Sequence, residues 1–125
     1  MINTEKIKEQ IYEFQRKIDI KFPEPYFTFL STISIGSVYE IENSGIFFYS
    51  LSDLKERNDT YEIEKYDPNY FMIGQEGDTG YFINAKNNQN NAIYSLGLGA
   101  IGSLPMRKRA NNIQEFIVKI TDEKK

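Results

Sequence analysis

The chain contains no cysteine and no histidine. Without cysteine there is no disulfide, no thiolate nucleophile and no cysteine-based zinc site. Without histidine the chain lacks the commonest general base near neutral pH and the commonest metal ligand. These two absences restrict the possible chemistry more than any residue present. Tryptophan is missing as well. No apolar run approaches the ~20 residues that a membrane span requires. The opening residues, Met1-Ile2-Asn3-Thr4-Glu5-Lys6, include no apolar stretch of the kind a secretory leader carries. The expectation is a cytoplasmic protein with no membrane association. Asn58-Asp59-Thr60 fits a glycosylation sequon, which has no consequence in that compartment.

What is present is enough for a core. A length of 125 residues favours a single domain over residues 1–125. Hydrophobic residues make up 40% and charged residues an ordinary 26%, which argues against disorder. The net charge of −3 is unevenly spread. Between residues 53 and 78, Asp53, Glu56, Asp59, Glu62, Glu64, Asp67, Glu76 and Asp78 face only Lys55, Arg57 and Lys65, a local balance of −5. Glu40 and Glu42 lie just upstream. From residue 104 onward Arg107, Lys108, Arg109, Lys119, Lys124 and Lys125 outnumber three acids. Such an imbalance suits an acidic surface meeting a basic partner, and it equally suits a solvated face.

Ile7, Ile11, Phe14 and Ile18 recur at helical spacing, and Asn3 can cap a helix over 4–18. Pro23 and Pro25 suit the start of a second helix, with Tyr26, Phe29, Leu30 and Ile33 on its apolar face, Phe22 at its entry and Gly36 at its end. Strands are expected at 38–41 and 46–49, joined by Glu42-Asn43-Ser44-Gly45. Ser50 and Asp53 can cap a charged third helix that stops before Asp67-Pro68. An apolar run from Tyr70 to Gly74, a turn at Gly77-Asp78-Thr79-Gly80 and a run from Tyr81 read as a hairpin. A polar loop over 84–91, a strand over 92–96 and a flexible stretch over 97–102 follow. Asn112 and Glu115 form a capping box before Ile113, Phe116, Ile117 and Ile120, and residues 121–125 are expected to fray. Short turns between successive strands point to an α+β fold, a mainly antiparallel sheet of five or six strands with helices packed on one face.

Several motifs fail on context. Gly97-Leu98-Gly99-Ala100-Ile101-Gly102 has dinucleotide-loop spacing, but Ser103-Leu104-Pro105 follows where a helix should open. Gly77-Asp78-Thr79-Gly80 resembles a nucleic-acid clamp loop, but Glu76 and Asp78 would repel phosphate. Asp67, Glu76 and Asp78 do not make a calcium loop. Met106-Arg107-Lys108-Arg109 is a short basic cluster that reads as a solvated loop. Glu62 and Glu64 would point apart on a helix and do not form an acid–base pair. No catalytic residue, metal site or cofactor site emerges, and nucleic acid is not an expected partner.

Phe22-Pro23-Glu24-Pro25-Tyr26-Phe27-Thr28-Phe29-Leu30, followed by Gly74, Glu76, Gly77 and Gly80, then Ile93-Tyr94, then Phe116-Ile117, resembles the SUKH superfamily of the Smi/Knr type. The resemblance is strongest over residues 22–120. It implies the α+β fold above and a non-enzymatic role. Many bacterial members are immunity proteins that neutralise a toxin, and fungal members resemble regulatory scaffolds. The leading expectation is an immunity protein that occludes a cognate toxin, with a basic nuclease domain as a fitting target. A regulatory interaction module and a small ligand-binding domain are the alternatives, and oligomeric state stays open. The expected toxin-facing surface includes Glu40, Glu42, Glu62, Glu64, Asp67, Glu76 and Asp78, with Tyr61 and Tyr66 as aromatic anchors.

Overall fold

The fold begins with a helix whose start is written into its first residues. Asn3 Oδ1 accepts the Lys6 N–H at 3.1 Å, opening α1 (Thr4–Ile18), and Ile7 and Ile11 are buried along its inner stripe. Asp19, left-handed at φ 56°, closes it. In the computed structural model, which describes residues 3–123, α2 (Glu24–Leu30) starts after Pro23 and carries Pro25 in its first turn. It stops well short of Gly36. The Ser31 and Thr32 hydroxyls donate to the Thr28 and Phe29 carbonyls at 2.6 Å each, taking up acceptors that another helical turn would use. Ile33 is still buried, but from the turns after the helix.

Six strands follow: β1 (Val38–Glu40), β2 (Phe47–Tyr49), β3 (Tyr70–Glu76), β4 (Thr79–Asn84), β5 (Ile93–Gly97) and β6 (Arg107–Ala110). They form one antiparallel sheet in chain order, β1 to β6. With α3 (Leu51–Thr60), α4 (Ile63–Tyr66) and α5 (Ile113–Glu123), the fold is α+β. One face of the sheet carries an aromatic lattice. Phe48 meets Phe29 of α2 at 5.5 Å and Phe116 of α5 at 6.1 Å, Tyr81 meets Phe116 at 5.3 Å, and Phe71 meets Phe22 at 5.4 Å and Phe14 of α1 at 6.4 Å. Each buried ring is worth about 1.5–3 kcal/mol from area alone, and favourable ring geometry adds about 1 kcal/mol per pair. This lattice is what fixes α1, α2 and α5 on the sheet.

Several local expectations change. The β3–β4 turn is only Gly77 and Asp78, because Thr79 pairs with Glu76 and Gly80 with Gln75. Gly77 has φ +54° and Asp78 is not in the left-handed region, the pattern of a tight II′ hairpin. Gly80 is glycine for a different reason: a Cβ there would stand 2.9 Å from both Leu98 Cδ2 and the Phe82 ring. Ser50 precedes α3 but does not cap it with its side chain, since its hydroxyl accepts the Gly36 N–H instead at 3.0 Å. The helix expected to run toward Asp67 is broken at Glu62, left-handed at φ 52°, so that α4 is a separate short turn. From Arg107 onward the basic cluster is not a loop, for Arg107 and Lys108 of β6 pair with Ser95 and Tyr94 of β5. Residues 97–102 hold a 3₁₀ turn (Leu98–Ala100), with Leu98 and Ile101 packed against the core. α5 runs to Glu123, so residues 121–123 of the stretch expected to fray (121–125) are its last turn, and Lys124 and Lys125 lie outside the described residues.

Asn58 has a structural task that no motif announced. β2 pairs with β3 only at Gln75 and Gly74, which leaves the Met72 backbone beyond its reach. The Asn58 amide fills in for the missing strand. Its Oδ1 accepts the Met72 N–H at 2.8 Å, and its Nδ2 donates to the Met72 carbonyl at 2.9 Å and to the Leu54 carbonyl at 2.8 Å. A buried amide with both ends engaged is not a glycan acceptor, whatever the compartment.

Candidate functional site

The antiparallel meander brings two turns to the same end of the sheet. The β1–β2 turn holds Asn43 and Gly45 at positive φ, and the Ser44 hydroxyl closes it by accepting the Ile46 N–H at 2.9 Å. The β3–β4 turn lies two strands over. Glu40 pairs with Phe47, and Phe47 pairs with Gln75 beside Glu76. A Cβ on Gly45 would stand 3.7 Å from Glu76 Oε2, so the two turns touch. Glu40, Glu42, Glu76 and Asp78, scattered over the sequence, therefore gather around this end, and all four are exposed. Two strand spacings amount to about 10 Å, roughly one Debye length at 0.1 M salt. The four charges act on an approaching molecule together.

Their charge is not neutralised locally. Among the described residues the ion pairs join Glu5 to Lys8, Asp59 to Lys55, Glu56 to Arg57 and Glu62 to Lys65, and none uses these four acids. Glu76 does accept from the Tyr81 hydroxyl at 3.5 Å, a long contact. The acids do not share one face. Glu40 lies in the row of Phe47 and Gln75, whereas Glu76 turns to the opposite side with Tyr81. The feature is an acidic rim rather than an acidic face.

The other expected residues divide. Tyr61 is half-buried and held in place: its hydroxyl accepts from Gln75 Nε2 at 3.2 Å, and the Arg57 guanidinium lies 5.6 Å from its ring centre. Gln75 is the hub here. It accepts from the Tyr49 hydroxyl at 2.6 Å and donates to the Gly77 carbonyl at 2.8 Å, tying the acidic turn to α3 and α4. Tyr66 is half exposed, with Lys65 Nζ 5.1 Å from its ring centre. Its backbone stands against Gly102, at the far end of the segment whose Leu98 N–H donates to the Asp78 carbonyl at 2.7 Å. Glu62 is exposed and partly offset by Lys65 at 3.5 Å.

Glu64 is elsewhere. It lines a cavity of about 390 Å³ together with Lys17, Lys55, Lys86, Asp19 and Asp59. Charges of both signs meet there, so the site selects for no simple ion. Asp67 is half-buried, and burial pushes its carboxyl above the usual carboxylate range. It does not line that cavity. Tyr49 and Tyr81 are also pushed up by burial, as expected for phenols packed under a sheet.

Two features escaped the sequence reading. Gln75 looked like the polar end of an apolar run, and no local pattern marks a hub. Val38 and Tyr39 read as ordinary strand residues, yet both are exposed, as is Ile35 just before them. Only the strand order, which puts β1 at the edge, explains that.

The model of the SMI1/KNR4 family (SUKH-1) matches residues 8–119, most of the chain. No curated protein matches it.

Proposed function

The chain belongs to the SMI1/KNR4 family (SUKH-1), and on that premise we propose that it is an immunity protein. It binds a toxin made by the same or a neighbouring cell and blocks it by covering its working surface, without making or breaking a covalent bond. It acts in the cytoplasm, where an incoming toxin would meet its target. The observation that carries this reading is the acidic rim: Glu40, Glu42, Glu76 and Asp78, gathered by two turns and outside the ion pairs formed among the described residues. A toxin that cleaves nucleic acid must hold phosphates, so its active-site rim is basic. An acidic partner surface competes for the same cations, and steering by opposite charge speeds encounter.

Triple reversal, Glu40→Lys, Glu42→Lys and Glu76→Lys, tests the reading in the presence of the toxin encoded beside this gene. All three side chains are exposed, so the fold should survive the exchange. The association rate at low salt should fall by about tenfold or more, and the salt dependence should flatten. An association rate equal to the parent's would remove the electrostatic part of the proposal. Failure of the unaltered chain to restore growth to toxin-producing cells would remove the immunity role itself.

A further inference from the structure

The two margins of the sheet are built differently. β6 presents Arg107 and Lys108, while the Arg109 guanidinium folds back over the Phe116 and Tyr81 rings and Lys119 Nζ reaches the Arg109 carbonyl at 3.2 Å. A row of like charges keeps foreign strands off an edge. β1 has no comparable guard. Val38, Tyr39 and Glu40 are all exposed, with no lysine, arginine, proline or bulge among them. The Ile41 N–H donates to the Ile46 carbonyl at 2.9 Å, and Tyr39 lies opposite Phe48 in the same register. Alternation along an antiparallel pair then turns the Tyr39 backbone toward β2 and the N–H and C=O groups of Val38 and Glu40 outward. Ile35 and Val38, 46% and 53% exposed, add apolar surface at one end of this edge. The acidic rim lies at the other.

We propose that β1 is the edge on which the toxin docks. An extended segment of the toxin extends the sheet by one strand beyond β1, with an apolar side chain beside Val38 and basic side chains beside Glu40 and Glu42. The inference rests on the immunity reading above and names the geometry of the contact. Main-chain hydrogen bonds to Val38 and Glu40 supply affinity, and the apolar-to-acidic gradient sets direction and register. A second copy of this chain is the poorer occupant. Its β1 is only three residues long and brings the same negative charge to the contact, whereas a basic strand gains from every acid of the rim.

Two measurements test this. In the first, isotope-labelled chain is titrated with a short peptide of alternating lysine and valine, and amide exchange is followed residue by residue. The Val38 and Glu40 amides should slow by about tenfold. Val38→Pro deletes one outward N–H, a change that edge strands tolerate, and Glu40→Lys reverses the nearest charge; each should weaken the peptide by about tenfold. Shifts located elsewhere, or binding indifferent to both variants, overturn the proposal. So does protection of the same amides on raising the chain's concentration without peptide, which would mean the edge pairs with a second copy. In the second, the chain is co-expressed with the neighbouring toxin. Loss of rescue by both variants, each still folded, supports edge docking. Full rescue by both overturns edge docking and leaves the immunity role standing. No rescue by the unaltered chain overturns the two together.

Discussion

β3 and β1 are both strands of one sheet with apolar residues in sequence, yet their surroundings are opposite. β3 lies between β2 and β4, four of its seven residues are buried, and Asn58 takes up its Met72 backbone where β2 runs out. β1 lies at the margin, all three of its side chains are exposed, and the backbone groups of Val38 and Glu40, two of its three residues, point away from the protein. The buried side chains lie where strands are enclosed, and those of the margin are exposed. Substitutions in the interior should cost the fold dearly, whereas substitutions in β1 should cost it almost nothing.

The largest expected effect is at Asn58. Asn58→Leu keeps the branched four-atom skeleton and removes every side-chain hydrogen bond, leaving the Met72 N–H and carbonyl buried and unpaired. An orphaned buried group costs about 1–3 kcal/mol, so the pair should cost roughly 3 kcal/mol or more. Urea unfolding measures this directly. A loss under 1 kcal/mol would mean that β3 tolerates unpaired groups as β1 does, and the contrast would fail.

Gly74→Ala comes next. The added Cβ would stand 2.6 Å from the Phe47 carbonyl oxygen and 2.7 Å from Phe48 Cδ1. The nearer obstacle is backbone, so β2 itself must move. Overpacking of this kind costs about 2–3 kcal/mol. Gly77→Ala is the informative companion: nothing lies within 4 Å of its Cβ, and only the positive φ of +54° opposes it, so the loss should be smaller, about 1 kcal/mol. Equal losses would show that turn conformation, not close packing of β2 on β3, governs the hairpin.

This difference between glycines also marks how far the sequence could be read. Residues whose constraints are local were legible: the Asn3 cap, the Ile7–Ile11 stripe, the prolines before α2, the Asn112–Glu115 box and the β3–β4 hairpin. Gly80 was legible as a glycine but not for its reason, since its obstacle, Leu98, arrives from a distant segment. Ser50 kept the look of a cap while its hydroxyl served Gly36. β6 was hidden because an edge strand guarded by cations has the composition of a loop. At the acidic rim, sequence named Glu40, Glu42, Glu76 and Asp78 but put Glu64 with them, because linear proximity cannot tell which turns meet. Tertiary packing of α4 places Glu64 among Lys17, Lys55 and Lys86, and strand order puts Val38 on an edge.

Tyr26 gives a smaller effect of opposite sign. It packs on Phe22, which packs on Phe71 of β3, and its hydroxyl is buried with no hydrogen-bond partner among the described residues. Burial pushes this phenol far above its ordinary pKa. Tyr26→Phe removes a desolvated oxygen and keeps the ring, so it should raise stability by about 1 kcal/mol. A loss of stability instead would show that the hydroxyl is satisfied in solution, by a water for example, and that the interior beneath β3 is better completed than the geometry indicates.

The smallest expected effect falls on β1 itself. Val38→Lys places on this edge the kind of guard that β6 already carries. The Val38 side chain is exposed, so the change in unfolding free energy should stay within about 0.5 kcal/mol. The backbone bonds to β2 run through Tyr39 and should keep their exchange protection. What should change is recognition: the new cation sits beside the outward groups of Val38 and Glu40 and repels a basic strand. A substitution silent in stability and loud in toxin binding would separate the two roles of the sheet at a single residue. One that unfolds the chain as badly as Asn58→Leu would mean that the margin helps to hold the fold, and that β1 is not free to be spent on a partner.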